Sequence, residues 1–327
     1  MKSRTLLLMA ALAATSAHAD ESLRRDALGL FGRLEAPAAP GPEAELGRAL
    51  FWDQRVSLDG KTSCGSCHPA RDGGADRRRF SPDARGELTS RHSPTVFNST
   101  RQPALRWLGD RKTAADQAEG SLTGSLGFTS KPAALEKLRA LDYLAAFRTA
   151  YPQQAEPMTT ANYGRAVEAY EATLVTPAPF DRFLAGDDGA LNERQQAGLR
   201  AFMATGCAGC HSGALLGGAS MQRFGVVKDY WLETGSAKVD VGRVAFTKKE
   251  EDRYVFRVAM LRNIARTAPY FHDGSVDTLD RAVRVMATLQ LGKTLDDATA
   301  GAIVAFLESL SGEVPVNYAP PGKRPDL

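Results

Sequence analysis

The sequence predicts a mainly α-helical protein in two halves of one plan. Three observations carry this. Cys64-Gly65-Ser66-Cys67-His68 and Cys207-Ala208-Gly209-Cys210-His211 repeat one C-x-x-C-H pattern and use all four cysteines of the 327-residue chain. Each follows a segment of helical periodicity, near Glu43 to Trp52 and from Asn192 to Thr205. Between them, Thr176-Pro177-Ala178-Pro179 breaks the helical pattern, and no convincing βαβ unit is present.

C-x-x-C-H is the attachment signature of a c-type haem. Two thiols reach the two vinyl groups of one porphyrin, and the adjacent imidazole becomes the proximal iron ligand. A thioredoxin-like pair carries no obligate His and sits near a βαβ pattern. A zinc ribbon pairs two C-x-x-C units at close spacing, whereas these lie far apart and each has its own His. Cys64, Cys67, Cys207 and Cys210 are therefore read as thioether anchors, with His68 and His211 as axial ligands of two covalent haem c groups. The order of helix then motif, met twice, implies two cytochrome c-like domains, each with one covalent c-type haem. They span residues 20–176 and 177–312, with 313–327 as a tail packing back on the first.

Residues 1–19 read as a secretory signal peptide: Lys2 and Arg4 open it, Leu6 to Ala14 form its apolar core, and Ala17-His18-Ala19 is the cleavage site. That run is too short to span a bilayer, and no other stretch approaches eighteen apolar residues. An exported, periplasmic protein without a membrane span is expected, which agrees with covalent haem attachment. The net charge of +3 is small and the basic residues are scattered, so nothing points to nucleic acid. Arg77-Arg78-Arg79 is the one dense basic cluster and reads as a solvated loop more readily than as a docking patch.

Asp20 to Pro42 reads as a loose lead. Pro69 to Ser93 lacks clean periodicity. Helices are expected near Thr113 to Glu119, Pro132 to Ala150 and Ala161 to Val175, where Tyr163, Val167, Tyr170 and Leu174 form one stripe. Asn192 and Gln195 look like a capping box. Two further helices are expected near Thr278 to Leu289 and Asp296 to Leu310.

A sixth protein ligand favours electron transfer at a haem, and an open position admits substrate. His92, His272 and the methionines are the remaining candidates. Met221, Met260 and Met286 lie downstream of the second motif. Spacing alone leaves Met286 more a core residue than a ligand, because thioethers fill gaps.

The segments Tyr254-Val255-Phe256-Arg257, Leu261-Arg262-Asn263 and Thr267-Ala268-Pro269-Tyr270-Phe271-His272-Asp273-Gly274 resemble the bacterial dihaem cytochrome c peroxidases. So do Leu46-Gly47-Arg48, Pro94-Thr95 with Asn98, and Gln290-Leu291-Gly292-Lys293. MauG-type enzymes belong to the same superfamily. The resemblance implies that Met286 is the sixth ligand of a C-terminal electron-entry haem. It implies that the N-terminal haem is the peroxide site, served by Gln117, with Trp107 between the haems. Donors would be small c-type cytochromes or copper proteins, and the protein would be a homodimer.

Two departures stand out. The position matching the family's distal His is Ala84, which suggests an iron open to peroxide without prior reduction. The position matching the family's catalytic Glu falls near Leu126 or Gly127; Glu119 is the nearest carboxylate and reads as a solvated helix end. His92 replaces a family Asn that helps bind calcium with carbonyls matching Thr267 and Pro269, which puts that ion in doubt. Peroxide reduction is the expected activity. Alternatives are MauG-like oxidation of a partner protein's aromatic residue through a high-valent state, which Ala84 favours and Met286 opposes, and a non-catalytic electron carrier or sensor.

Overall fold

A computed structural model describes residues 21–326; the expected signal peptide, 1–19, lies outside them. Thirteen helices are seen among the described residues: α1 (21–31), α2 (Pro42–Trp52), α3 (Cys64–Cys67), α4 (Ala114–Ser121), α5 (Lys131–Ala140), α6 (Leu144–Ala150), α7 (Thr160–Glu171), α8 (Pro179–Ala185), α9 (Glu193–Thr205), α10 (Tyr230–Thr234), α11 (Val244–Thr247), α12 (Leu279–Leu291) and α13 (Asp297–Glu308). Two short strands, β1 (Met221–Arg223) and β2 (Val255–Arg257), pair antiparallel with Gln222 opposite Phe256. The mainly α expectation holds.

Side-chain caps set the helix starts. Asn192 Oδ1 accepts from the Gln195 N–H at 2.9 Å, and Gln195 Oε1 accepts from the Asn192 N–H at 3.0 Å, closing the expected capping box on α9. Thr113, Thr159, Thr278 and Asp296 cap α4, α7, α12 and α13 by accepting from a backbone N–H three residues on, without the reciprocal bond. The single helix expected over Pro132 to Ala150 is two, α5 and α6, parted where Asp142 turns left-handed at φ 59°.

Each half is built on a crossing of its first and last long helices. A Cβ on Gly47 of α2 would lie 1.8 Å from the Ala166 carbonyl oxygen of α7. A Cβ on Gly198 of α9 would lie 1.9 Å from the Ala302 carbonyl oxygen of α13. Only glycine lets backbones approach so closely. One turn on, Phe51 packs on Tyr170 and Phe202 on Phe306, each pair with ring centroids 5.4 Å apart.

The lead expected to be loose is helical over its first half, while residues 32–41 form no helix and are mostly exposed. Residues 21–31 are helical, and Leu23, Ala27 and Phe31 are buried in the core of the second half, with Phe31 5.8 Å from the Phe180 ring. The end of the chain crosses the other way. Tyr318 is buried against Phe51 and Phe97 and donates to the His68 carbonyl at 2.6 Å, while Arg48 donates to the Ala319 carbonyl at 2.7 Å. The Pro-rich break is also interior: Thr176 and Ala178 are buried, and Thr176 Oγ1 accepts from Asn98 and Asn263.

Candidate functional site

Each C-x-x-C-H lines a cavity of its own. Cys64, Cys67 and His68 face one of about 420 Å³. Cys207, Cys210 and His211 face one of about 220 Å³. None of the four cysteines forms a disulfide, and burial raises the Cys64 thiol to about 12 and the Cys207 thiol to about 11. A redox C-x-x-C lowers a thiol pKa instead, so the direction of these shifts is opposite to that of a reactive dithiol.

The histidines are oriented as haem ligands require. The His68 ring nitrogen Nδ1 bonds the Gly74 carbonyl at 2.9 Å, and His211 Nδ1 bonds the Leu216 carbonyl at 3.1 Å. A carbonyl on one nitrogen fixes the tautomer and leaves Nε2 for the iron. Desolvation holds both imidazoles below the ordinary histidine range, in the neutral form that ligates. These residues fit two covalent haems.

The smaller cavity is apolar. Phe202, Leu279, Val283, Ile303 and Leu307 wall it, and Met286 of α12 lines the same space as His211. Among its few polar groups is His272, whose buried Nε2 has no hydrogen-bond partner and lies 3.8 Å from Asp240 Oδ2. The His272 ring stacks on Phe256 at 4.2 Å.

The larger cavity is the more polar of the two. Arg91, Arg106, Asp110, Arg111, Gln117 and Glu171 all reach it. Gln117 Oε1, Asp110 Oδ1 and Arg111 Nε are buried without hydrogen-bond partners. Buried polar atoms are nearly always satisfied, so unpaired ones here point to a site that binds something polar. The expectation for Glu119 as a helix-end residue holds: it is committed to Lys131 at 2.7 Å and Thr160 at 2.6 Å, outside the cavity wall.

Glu171 was missed by the sequence reading. It ends α7, is buried, and accepts from Ser99 Oγ at 2.7 Å. Burial raises its carboxyl to about 7, against the smaller opposing pull of the Ser99 bond. The folded halves show what the sequence does not mark: α7 and α13 correspond, and five residues past each carbonyl contact stand Glu171 and Leu307. A carboxylate where the other half has leucine marks a pocket that tolerates charge.

The two sequence departures touch each other. Gly127 adopts φ +83°, and a Cβ there would lie 3.0 Å from the Ala84 Cβ. The Ala84 N–H donates to the Ser125 carbonyl at 2.9 Å, so the two loops are pinned together. His92 is not free for an iron either. Its Nε2 bonds the Asp76 carbonyl at 2.6 Å, its N–H donates to the His272 carbonyl at 2.7 Å, and its own carbonyl accepts from Trp107 Nε1 at 2.9 Å. This arrangement does not fit calcium, a hard cation that takes oxygen donors; the ring makes the link to Asp76 itself. Trp107 lines both cavities and packs edge-on to His272 at 6.3 Å between centroids.

Among the described residues no helix is long and apolar enough to cross a membrane. Comparison with known proteins agrees with the geometry. Residues 42–189 match the model of the di-haem cytochrome c peroxidase family. The chain is 45% identical over 279 residues to the cytochrome c551 peroxidase of Pseudomonas aeruginosa, covering 84% of this chain and 80% of that one. It is 41% identical to the cytochrome c peroxidase Ccp of Escherichia coli, covering 82% of this chain but 57% of that longer one. The crystal structure of a MauG-like protein associated with microbial copper homeostasis superposes with a TM-score of 0.76 at 25% identity, covering 89% of this chain and 97% of that one. On sequence, fold and paired haem-binding cavities alike, the chain belongs to the di-haem cytochrome c peroxidase family.

Proposed function

We propose that this protein reduces hydrogen peroxide to water in the larger, N-terminal cavity, with electrons entering through the C-terminal one. The observation that carries this is the unequal pair of walls: Met286 shares the smaller cavity with His211, while His68 shares the larger one with polar groups that include the unpartnered Gln117 Oε1. The haems supply the redox chemistry; each peroxide consumes two electrons and two protons and leaves as two waters.

The protein's residues do the rest. Gln117 accepts a hydrogen bond from peroxide and orients it. Glu171, raised to about 7, holds a proton near neutral pH that the cavity can draw on. Arg106 and Arg111 add positive charge where oxygen gains negative charge. Met286 would hold the iron of the second haem, which would then serve electron transfer rather than substrate. Trp107, in both walls, lies on the path between them. The donor is a small c-type cytochrome or copper protein. The chain is exported to the periplasm and cleaved after Ala19, and its haem domains divide between residues 176 and 177, with residues 21–31 packed on the second rather than the first.

The test is steady-state peroxide consumption with a reduced cytochrome donor, starting from fully oxidised protein. Turnover without a lag or pre-reduction is expected. A long-lived oxidised spectrum with little donor consumed would instead favour oxidation of a partner protein, and an unchanged Soret band in both redox states would overturn both.

A further inference from the structure

Six residues line both cavities: His92, Pro94, Thr95, Gln102, Trp107 and Arg257. Arg257 is the one residue of fixed charge among them. It ends β2, where pairing to Met221 of β1 and an N–H bond to the Trp107 carbonyl at 2.8 Å hold its backbone. Its side chain is 5% exposed. Nε donates to the Arg106 carbonyl at 2.9 Å and Nη1 to Gln102 Oε1. Neither partner carries a negative charge.

A buried cation is costly unless an anion compensates it. The other deeply buried arginine follows that rule: Arg262 pairs with both oxygens of Asp181, at 2.5 and 2.9 Å. Arg91 likewise pairs with Asp240, at 2.7 and 2.9 Å. For Arg257 no carboxylate supports the charge, and burial alone pulls its guanidinium down to about 10. The compensating anion must come from a ligand. Each haem carries two propionate carboxylates, and guanidinium is a planar fork of five N–H donors matched to carboxylates. The bonds to Arg106 and Gln102 leave donors over.

We propose that Arg257 is a shared carboxylate anchor, binding a propionate from the haem of each cavity and so setting the potentials of both together. The proposal rests on a covalent haem in each cavity. A cation removed from beside a haem favours the ferric state, because less positive charge then opposes oxidation.

The experiment is a spectroelectrochemical titration of the intact holoprotein and of Arg257→Met, Arg257→Gln and Arg257→Lys, with covalent haem counted for each. Both midpoints are expected to fall in the Met and Gln variants, and Lys is expected to restore most of both shifts. If only one midpoint moves, Arg257 serves one haem and the shared anchor is wrong. If neither moves, Arg257 is no anchor. Should the Met variant fail to assemble, the difference between Gln and Lys decides on the same terms. Fewer than two covalent haems in the unmodified protein would sink the two-haem reading itself, separately from any result on Arg257.

Discussion

The two halves share a frame down to single hydrogen bonds and differ at the walls facing their histidines. Asn98 and Asn263 both turn left-handed, at φ 59° and 62°. Their N–H groups donate to the Leu174 and Leu310 carbonyls at 3.0 Å, and their Oδ1 atoms accept from Thr176 and Gly312 at 3.1 Å. With the Gly47 and Gly198 crossings, this describes one scaffold used twice. On it, the second half places Met286, Leu307 and Val283 around its cavity, and the first places Gln117, Glu171 and Arg111. Frame and function are thus separable: the frame fixes where a haem sits, and a few wall residues decide what its iron meets.

The largest effect should come from removing a wall residue that the other half lacks. Gln117→Leu is expected to lower kcat/KM for peroxide by about a hundred- to a thousand-fold, the scale of one lost polar contact to the reacting oxygen. The spectrum of the C-terminal haem should not change. Steady-state kinetics beside absorption spectra would show it, and a variant of normal activity would remove Gln117 from the site.

Met286→Ala should erase the difference in the other direction. The C-terminal haem is expected to leave its low-spin six-coordinate state and its midpoint to fall by roughly tenths of a volt, within the ~0.8 V that axial ligands command. Unaltered absorption and potential would eliminate Met286 as a ligand.

The shared frame predicts equal damage. Gly47→Ala and Gly198→Ala each force a methyl into a carbonyl and should each destabilise the holoprotein by about 1–3 kcal/mol or more. Thermal unfolding followed by circular dichroism tests this; a loss at only one of the two would break the duplication.

Glu171 has no ionisable counterpart, so it should make stability pH-dependent in a way the second half does not. Its folded pKa of about 7 lies above the ordinary 4.5, so its neutral form is favoured on folding. That contribution is fully present below pH 4.5, declines as pH rises, and is gone above about 7. Glu171→Gln should therefore gain about 2–3 kcal/mol on the parent at pH 8 relative to pH 5. Parallel pH profiles of melting temperature would contradict the burial argument. The smallest effect concerns calcium: with His92 bonded to Asp76, a chelator should leave peroxide turnover unchanged.

Much of the frame was legible. The two motifs, the capping box at Asn192, the helix starts near Thr278 and Asp296, and the stripe on α7 are local signals, and local chemistry produces them. The burial of Leu23, Ala27 and Phe31 against the second half was not legible, because its partner surface lies far along the chain. Glu171 was hidden differently: next to the stripe of Tyr163, Val167 and Tyr170 it reads as the polar edge of a helix. Only the cavity shows that it faces inward. Arg257 lay within a stretch read for family likeness, and its unpaired charge becomes visible only once its neighbours are known.

The claim on which the rest depends is that one iron is open and the other closed in the fully oxidised protein. Titrating oxidised holoprotein with cyanide, followed by electron paramagnetic resonance, tests it most directly. The expected result is one haem per chain that is high-spin and takes cyanide at once, and one that stays low-spin and inert. Two low-spin haems that both refuse cyanide until the protein is reduced would contradict it.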